Sequence, residues 1–76
     1  MTLEDDRIVH ATAKLFGVRC ETQKRLVDDR LYWSLSRDYP GKLLGQGDRS
    51  MVTHCYDREA AIAWIANMAY WYPLQR

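Results

Sequence analysis

The last quarter of the chain places the strongest constraint on the fold. Asp57 is placed as an N-cap, a helix is predicted over Arg58 to Tyr70, and Pro73 ends it. At helical spacing Ala61, Trp64, Ile65, Met68, Trp71 and Tyr72 share one side, and Ile62 and Ala69 widen it. The apolar arc is roughly 180° wide, against about 100° for a helix that lies on a core with one face. A chain of 76 residues buries only about 60% of the surface that its unfolded form exposes. So short a chain cannot easily cover so wide an arc by itself, and burial in a homodimer is the expected way to complete it.

The other elements follow from periodicity. Thr2 is an N-cap with Asp5 three residues on, and Glu4, Asp5 and Asp6 complement the helix dipole in the first turn. Ile8, Thr12 and Leu15, and beside them Val9, Ala13 and Phe16, recur at helical spacing. Gly17 is placed to end the helix in a left-handed conformation, which predicts a helix over Leu3 to Phe16. Residues 18 to 29 read two ways. Val18 to Thr22 alternate as a strand would, whereas Thr22 to Asp29 suit a capped helical turn, and a short helix near 20 to 28 is the reading taken. Leu31, Trp33 and Leu35 alternate with Tyr32, Ser34 and Ser36, which predicts a strand. Asp38 to Lys42 is a turn around Pro40-Gly41, Leu43-Leu44 a brief middle strand, residues 45 to 49 a loop, and Met51 to Tyr56 a further strand. The expected architecture is a single α+β domain over residues 1 to 76. It is a small two-layer domain with an N-terminal helix, a two- to three-stranded antiparallel sheet and a C-terminal helix packed on one sheet face.

Composition narrows the function classes. Lys plus Arg is 11 and Asp plus Glu is 10, for a formal net charge of +1. That excludes an acidic nucleic-acid mimic acting by bulk charge and argues against a protein held on DNA by a general positive field. Hydrophobic residues make up 47%, so the chain folds. The acidic start and the lack of a long apolar run predict no signal peptide, no membrane partner and a cytoplasmic location. Cys20 and Cys55 are then expected as free thiols.

No catalytic, metal or cofactor site is expected. His10, Cys20, His54 and Cys55 are potential zinc ligands, but their spacings fit no zinc motif, and neighbours on a strand point to opposite faces. Cys55 with His10 is the one conceivable nucleophile and base pair, and nothing local supports it. Gly45-Gln46-Gly47 does not lead from a strand into a helix N-terminus, as a phosphate loop must.

The stretch from Val9 to Val27 resembles a helix-turn-helix, with Ala13, Gly17, Val18 and Leu26 in its small, turn and apolar positions. Gln23 departs from the pattern, because the motif has a buried aliphatic there. The resemblance implies a DNA-binding regulator. Its contacts would be Arg19, Thr22, Gln23, Lys24 and Arg25 on the second helix, with Arg37, Lys42 and Arg49 on a following wing. This nucleic-acid reading is the alternative, not the preferred one.

The preferred reading concerns surfaces. If Leu31, Trp33 and Leu35 face the core, Tyr32, Val52, His54 and Tyr56 gather on the outer sheet face. Tyr39 sits in a turn and Tyr70 opposite the apolar arc of the last helix. Tyr with nearby Arg dominates binding hot spots. The expectation is a non-catalytic protein-binding module that docks Tyr32, Tyr39, Val52, His54, Tyr56 and Tyr70 on another protein, itself a homodimer. Small free-standing proteins of this kind are common among phage and mobile-element accessory genes. Inhibitors of host defence such as anti-CRISPR proteins belong there, a placement that rests on size and not on any motif.

Overall fold

The computed structural model describes residues 1–39 and 49–71, with the side chains of Tyr39 and Arg49 outside that description. Five elements follow in order: α1 (Leu3–Leu15), β1 (Arg19–Lys24), β2 (Leu31–Tyr39), β3 (Arg49–Cys55) and α2 (Arg58–Trp71). The three strands form one antiparallel sheet in the order β1-β2-β3, and both helices lie on the same face of it. This is the α+β two-layer domain that the periodicity predicts. The expected strand at Leu43-Leu44, the loop around it and Lys42 lie outside the described residues, as do Tyr72 and Pro73.

The helix ends are set by their caps. The Thr2 hydroxyl accepts the Asp5 backbone N–H at 3.0 Å, and Asp57 Oδ1 accepts that of Ala60 at 2.7 Å. At the other end of α1, Gly17 adopts φ 71°, a left-handed conformation that costs glycine nothing. The Val18 N–H then reaches the Ala13 carbonyl at 2.8 Å and the Gly17 N–H the Lys14 carbonyl at 3.3 Å. These two bonds close the helix, and Val18 and Ala13 both enter the core.

The cap also sends the chain directly into β1, and here the structure corrects the sequence reading. Residues 19 to 24 form a strand, not the start of a second helix. They pair with β2 from Arg19↔Ser36 to Lys24↔Leu31. Tertiary pairing overrides the local helical pattern, because the strand satisfies its backbone on β2 while Cys20 packs against the core. Residues 25–30 then form the hairpin connection. The Arg25 N–H donates to the Arg30 carbonyl and the Asp29 N–H to the Arg25 carbonyl, both at 2.8 Å. The Asp28 carboxylate accepts the Arg30 N–H, and Asp29 takes φ 57°. Without a second helix, the helix-turn-helix arrangement does not form. β2 likewise continues through Asp38 and Tyr39, which the turn prediction ended earlier.

The core lies between sheet and helices. Val9 and Ala13 come from α1, Trp33 and Leu35 from β2, Cys55 from β3, and Ala61, Ile65 and Met68 from α2. Of the two candidate stripes on α1 the Val9–Ala13 stripe is buried, and Leu15 stays exposed. Full burial of Leu35 or Ile65 contributes roughly 1.5–3 kcal/mol each. Arg37 is also buried, which corrects its expected place on an exposed wing. Its guanidinium donates to the Met68 carbonyl at 2.9 Å. The last turn of α2 has no basic residue of its own, so a strand arginine supplies the positive charge that complements this helix end. No helix of the described residues is long and apolar enough to cross a membrane.

Candidate functional site

Alternation along the strands divides the sheet. Trp33, Leu35 and Arg37 face the helices, so Tyr32, Ser34, Ser36 and Asp38 face out. The register adds Arg19, Glu21 and Gln23 from β1 and Ser50, Val52 and His54 from β3 to the outer face. Among the described residues, no element covers it.

One end of this face carries an aromatic cluster. The Tyr32 ring lies 4.9 Å from His54 and 5.6 Å from Tyr56, centroid to centroid, in tilted arrangements. Such contacts add about 0.5–1.5 kcal/mol beyond burial. The Tyr32 hydroxyl donates to Gln23 Oε1 at 2.9 Å. The Arg30 guanidinium stands 4.6 Å from the centre of the Tyr56 ring, and Arg25 Nη1 donates to the Tyr56 hydroxyl at 3.2 Å. Arg25 is held in turn by Asp28 at 3.1 Å. The hairpin therefore clamps the tyrosine cluster, while its tip holds Leu26 and Val27 in water, 96% and 87% exposed. The other end of the face is polar. Arg19 donates to Ser36 at 3.1 Å and to Asp38 at 3.0 Å, and Ser50 donates to Asp38. Arg19, Ser36 and Ser50, with Glu21, Ser34 and Val52, line an open depression of about 350 Å³.

Four of the six predicted docking residues, Tyr32, Val52, His54 and Tyr56, thus share one face. Tyr39 ends β2 at the strand's opposite end. Tyr70 lies on α2, on the other side of the sheet, edge-on to Trp71 at 5.1 Å. The residues expected to read DNA scatter. Arg19 and Gln23 face out, Thr22 faces α1, Lys24 and Arg25 enter the hairpin, and Arg37 is buried. Arg49 pairs with Tyr39 at the start of β3.

A second polar cluster joins α1 to the sheet. The Asp6 carboxylate accepts from the Thr22 hydroxyl at 2.5 Å and from the Trp33 indole N–H at 3.0 Å, and His10 Nε2 lies 3.4 Å away. His10 Nε2 also bonds to Thr22 Oγ1 at 2.7 Å. The Thr22 hydroxyl has one proton and gives it to Asp6, so His10 is assigned as the donor to Thr22. Chiefly the Thr22 bond, aided by Trp33 and His10, holds the Asp6 carboxyl below its usual range despite desolvation. His10 is then no base for the hydroxyl, and the cluster acts as a clasp between layers. No local pattern announces it, because its members lie 16 and 27 residues apart.

The cysteines are free thiols. Cys20 on β1 and Cys55 on β3 are separated by β2, hence by roughly 10 Å, beyond disulfide reach. Burial first, then the Asp6 charge, pushes Cys20 up to about 11, and burial also raises Cys55, so neither is a ready thiolate. Among the described residues no three His, Cys, Asp or Glu converge as metal ligands.

Searches of protein-family models, of curated proteins and of solved structures return no significant match to this chain.

Proposed function

We propose that this is a non-catalytic docking module whose working surface is the uncovered outer sheet face. The observation that carries the reading is the cluster of Tyr32, His54 and Tyr56 held by Arg25 and Arg30 on that face. Rigid aromatics with two χ angles lose little entropy on binding, and Tyr with Arg is the usual make-up of a hot spot. The hairpin tip extends this surface with two aliphatic side chains on a backbone fastened by its own hydrogen bonds. The occupant is another protein. The face and hairpin mix Arg19, Arg25 and Arg30 with Glu21, Asp28 and Asp38, so there is no field to attract a phosphate backbone.

The test is capture from host lysate on immobilised protein, with and without nuclease. The Tyr32→Ala/Tyr56→Ala double variant should lose the captured protein while it stays folded by circular dichroism, its thermal midpoint lowered by the several degrees that the ring contacts are worth. Retained capture, or capture that nuclease abolishes, overturns the reading.

A further inference from the structure

Among the described residues the sheet has two unpaired edges, and they differ in chemistry. β1 carries Arg19, Glu21 and Lys24, the kind of charge that natural sheets place on an edge to block pairing with another chain. β3 has less protection, its one charge being Arg49 at the start of the strand. From Ser50 to Cys55 it reads Ser-Met-Val-Thr-His-Cys, with no charged residue and no proline. Among the described residues no strand pairs with its far side.

The helix above that edge is unfinished on the same side. Arg58 of α2 pairs with Asp5 of α1 at 3.2 Å, which marks the flank of α2 that faces α1. At about 100° per residue, Ile62 and Ala69 share that flank, and Trp64 and Trp71 fall on the opposite one. α1 lies over β1 and α2 over β2 and β3, so the Trp64–Trp71 flank overhangs the β3 edge. Trp71 is 70% exposed and Trp64 half-buried. Met51 joins them. It sits opposite Arg37, whose guanidinium reaches Met68 in the final turns of α2, and it is 38% exposed.

We propose that the protein forms a two-fold dimer through the free edge of β3, with the occupant a second copy of this chain. Strand β3 pairs antiparallel with its symmetry mate about an axis at Val52. Met51 then faces Thr53, Ser50 faces His54 and Arg49 faces Cys55, so no like charges meet across the seam. The sheet becomes six-stranded, and the two Trp64–Trp71 flanks close over the junction on its helical side. The wide apolar arc of α2 is the consequence: one side of it belongs to the monomer core and the other to the interface. The outer faces of both copies become continuous, which doubles the Tyr32–Tyr56 surface, although the dimer does not depend on that surface's role.

Analytical ultracentrifugation of the full chain tests this, across about 1 to 200 µM to span weak and strong association. The expected species has twice the chain mass. Met51→Lys places a charge at the edge, and Trp71→Ala strips the exposed flank. Each should weaken the dimer by about tenfold or more, with the circular dichroism spectrum unchanged. If Met51→Lys fails to fold, Trp71→Ala still decides, since that side chain is largely in water. Glu21→Lys on β1 and the Tyr32→Ala/Tyr56→Ala variant should leave the dimer intact. A wild-type monomer throughout, a dimer indifferent to both Met51→Lys and Trp71→Ala, or one lost through Glu21→Lys overturns the proposal.

Discussion

Replacing Asp6 by Ala should be among the most damaging changes to any half-exposed residue. The carboxylate is the acceptor for the indole N–H of Trp33, the largest side chain in the core and fully buried. Stranding a buried donor costs about 1–3 kcal/mol. Removing an acid from the first turn of α1 adds roughly 0.3–1 kcal/mol. The Thr22 hydroxyl is exposed and turns to water, so it adds little. A loss of about 1–4 kcal/mol is a large share of the roughly 4–11 kcal/mol that a domain of this length holds. At about 4–8 °C per kcal/mol, the thermal midpoint should fall by at least about five degrees. Urea unfolding followed by tryptophan fluorescence gives the free energy. Asp6→Asn keeps a carbonyl acceptor and should recover part of the loss. The pH dependence separates the two variants further. The folded Asp6 carboxyl lies below the ordinary 3.8, so its stabilisation is complete above that value and is lost as pH falls through the lowered folded value. Wild type should therefore lose more stability than Asp6→Asn between about pH 5 and pH 2. A loss under about 0.5 kcal/mol for Asp6→Ala, within the range of an ordinary surface change, refutes the clasp.

Three further outcomes follow from the packing. Arg37→Ala removes the charge that closes the end of α2 and empties a buried site, so urea unfolding should show about 1–3 kcal/mol lost. Gly17→Ala forces a Cβ into the left-handed region and should cost about 1–2 kcal/mol. Leu26→Ser with Val27→Ser at the hairpin tip should leave the thermal midpoint within a degree or two, because neither side chain is packed, yet weaken partner capture.

Much of the frame was legible in local pattern. Thr2, Gly17 and Asp57 bound the helices because capping is a short-range interaction. The alternation of Leu31 to Ser36 assigns inside and outside to the sheet, and with it the common face of Tyr32, His54 and Tyr56. What stayed hidden is long-range. Residues 18 to 22 alternate like a strand and 22 to 29 suit a helical turn, and only the presence of β2 decides for a strand over 19 to 24. Arg37 reads as a wing cation until α2 is seen to end above it. Asp6 reads as a dipole partner in a first turn, and nothing nearby in the chain reveals that Thr22 and Trp33 come to it. The clasping of Tyr56 by Arg25 and Arg30 is equally invisible in the sequence, because it needs the hairpin to fold back beside the end of β3.

Docking of a partner protein on the outer sheet face, as proposed above, can be mapped directly. A photo-crosslinking residue placed at position 54, on that face, and a second placed at Ala66, exposed on α2, test it in the captured complex. A cross-link to the captured protein should form from position 54 and none from position 66. A cross-link from position 66 alone would contradict it.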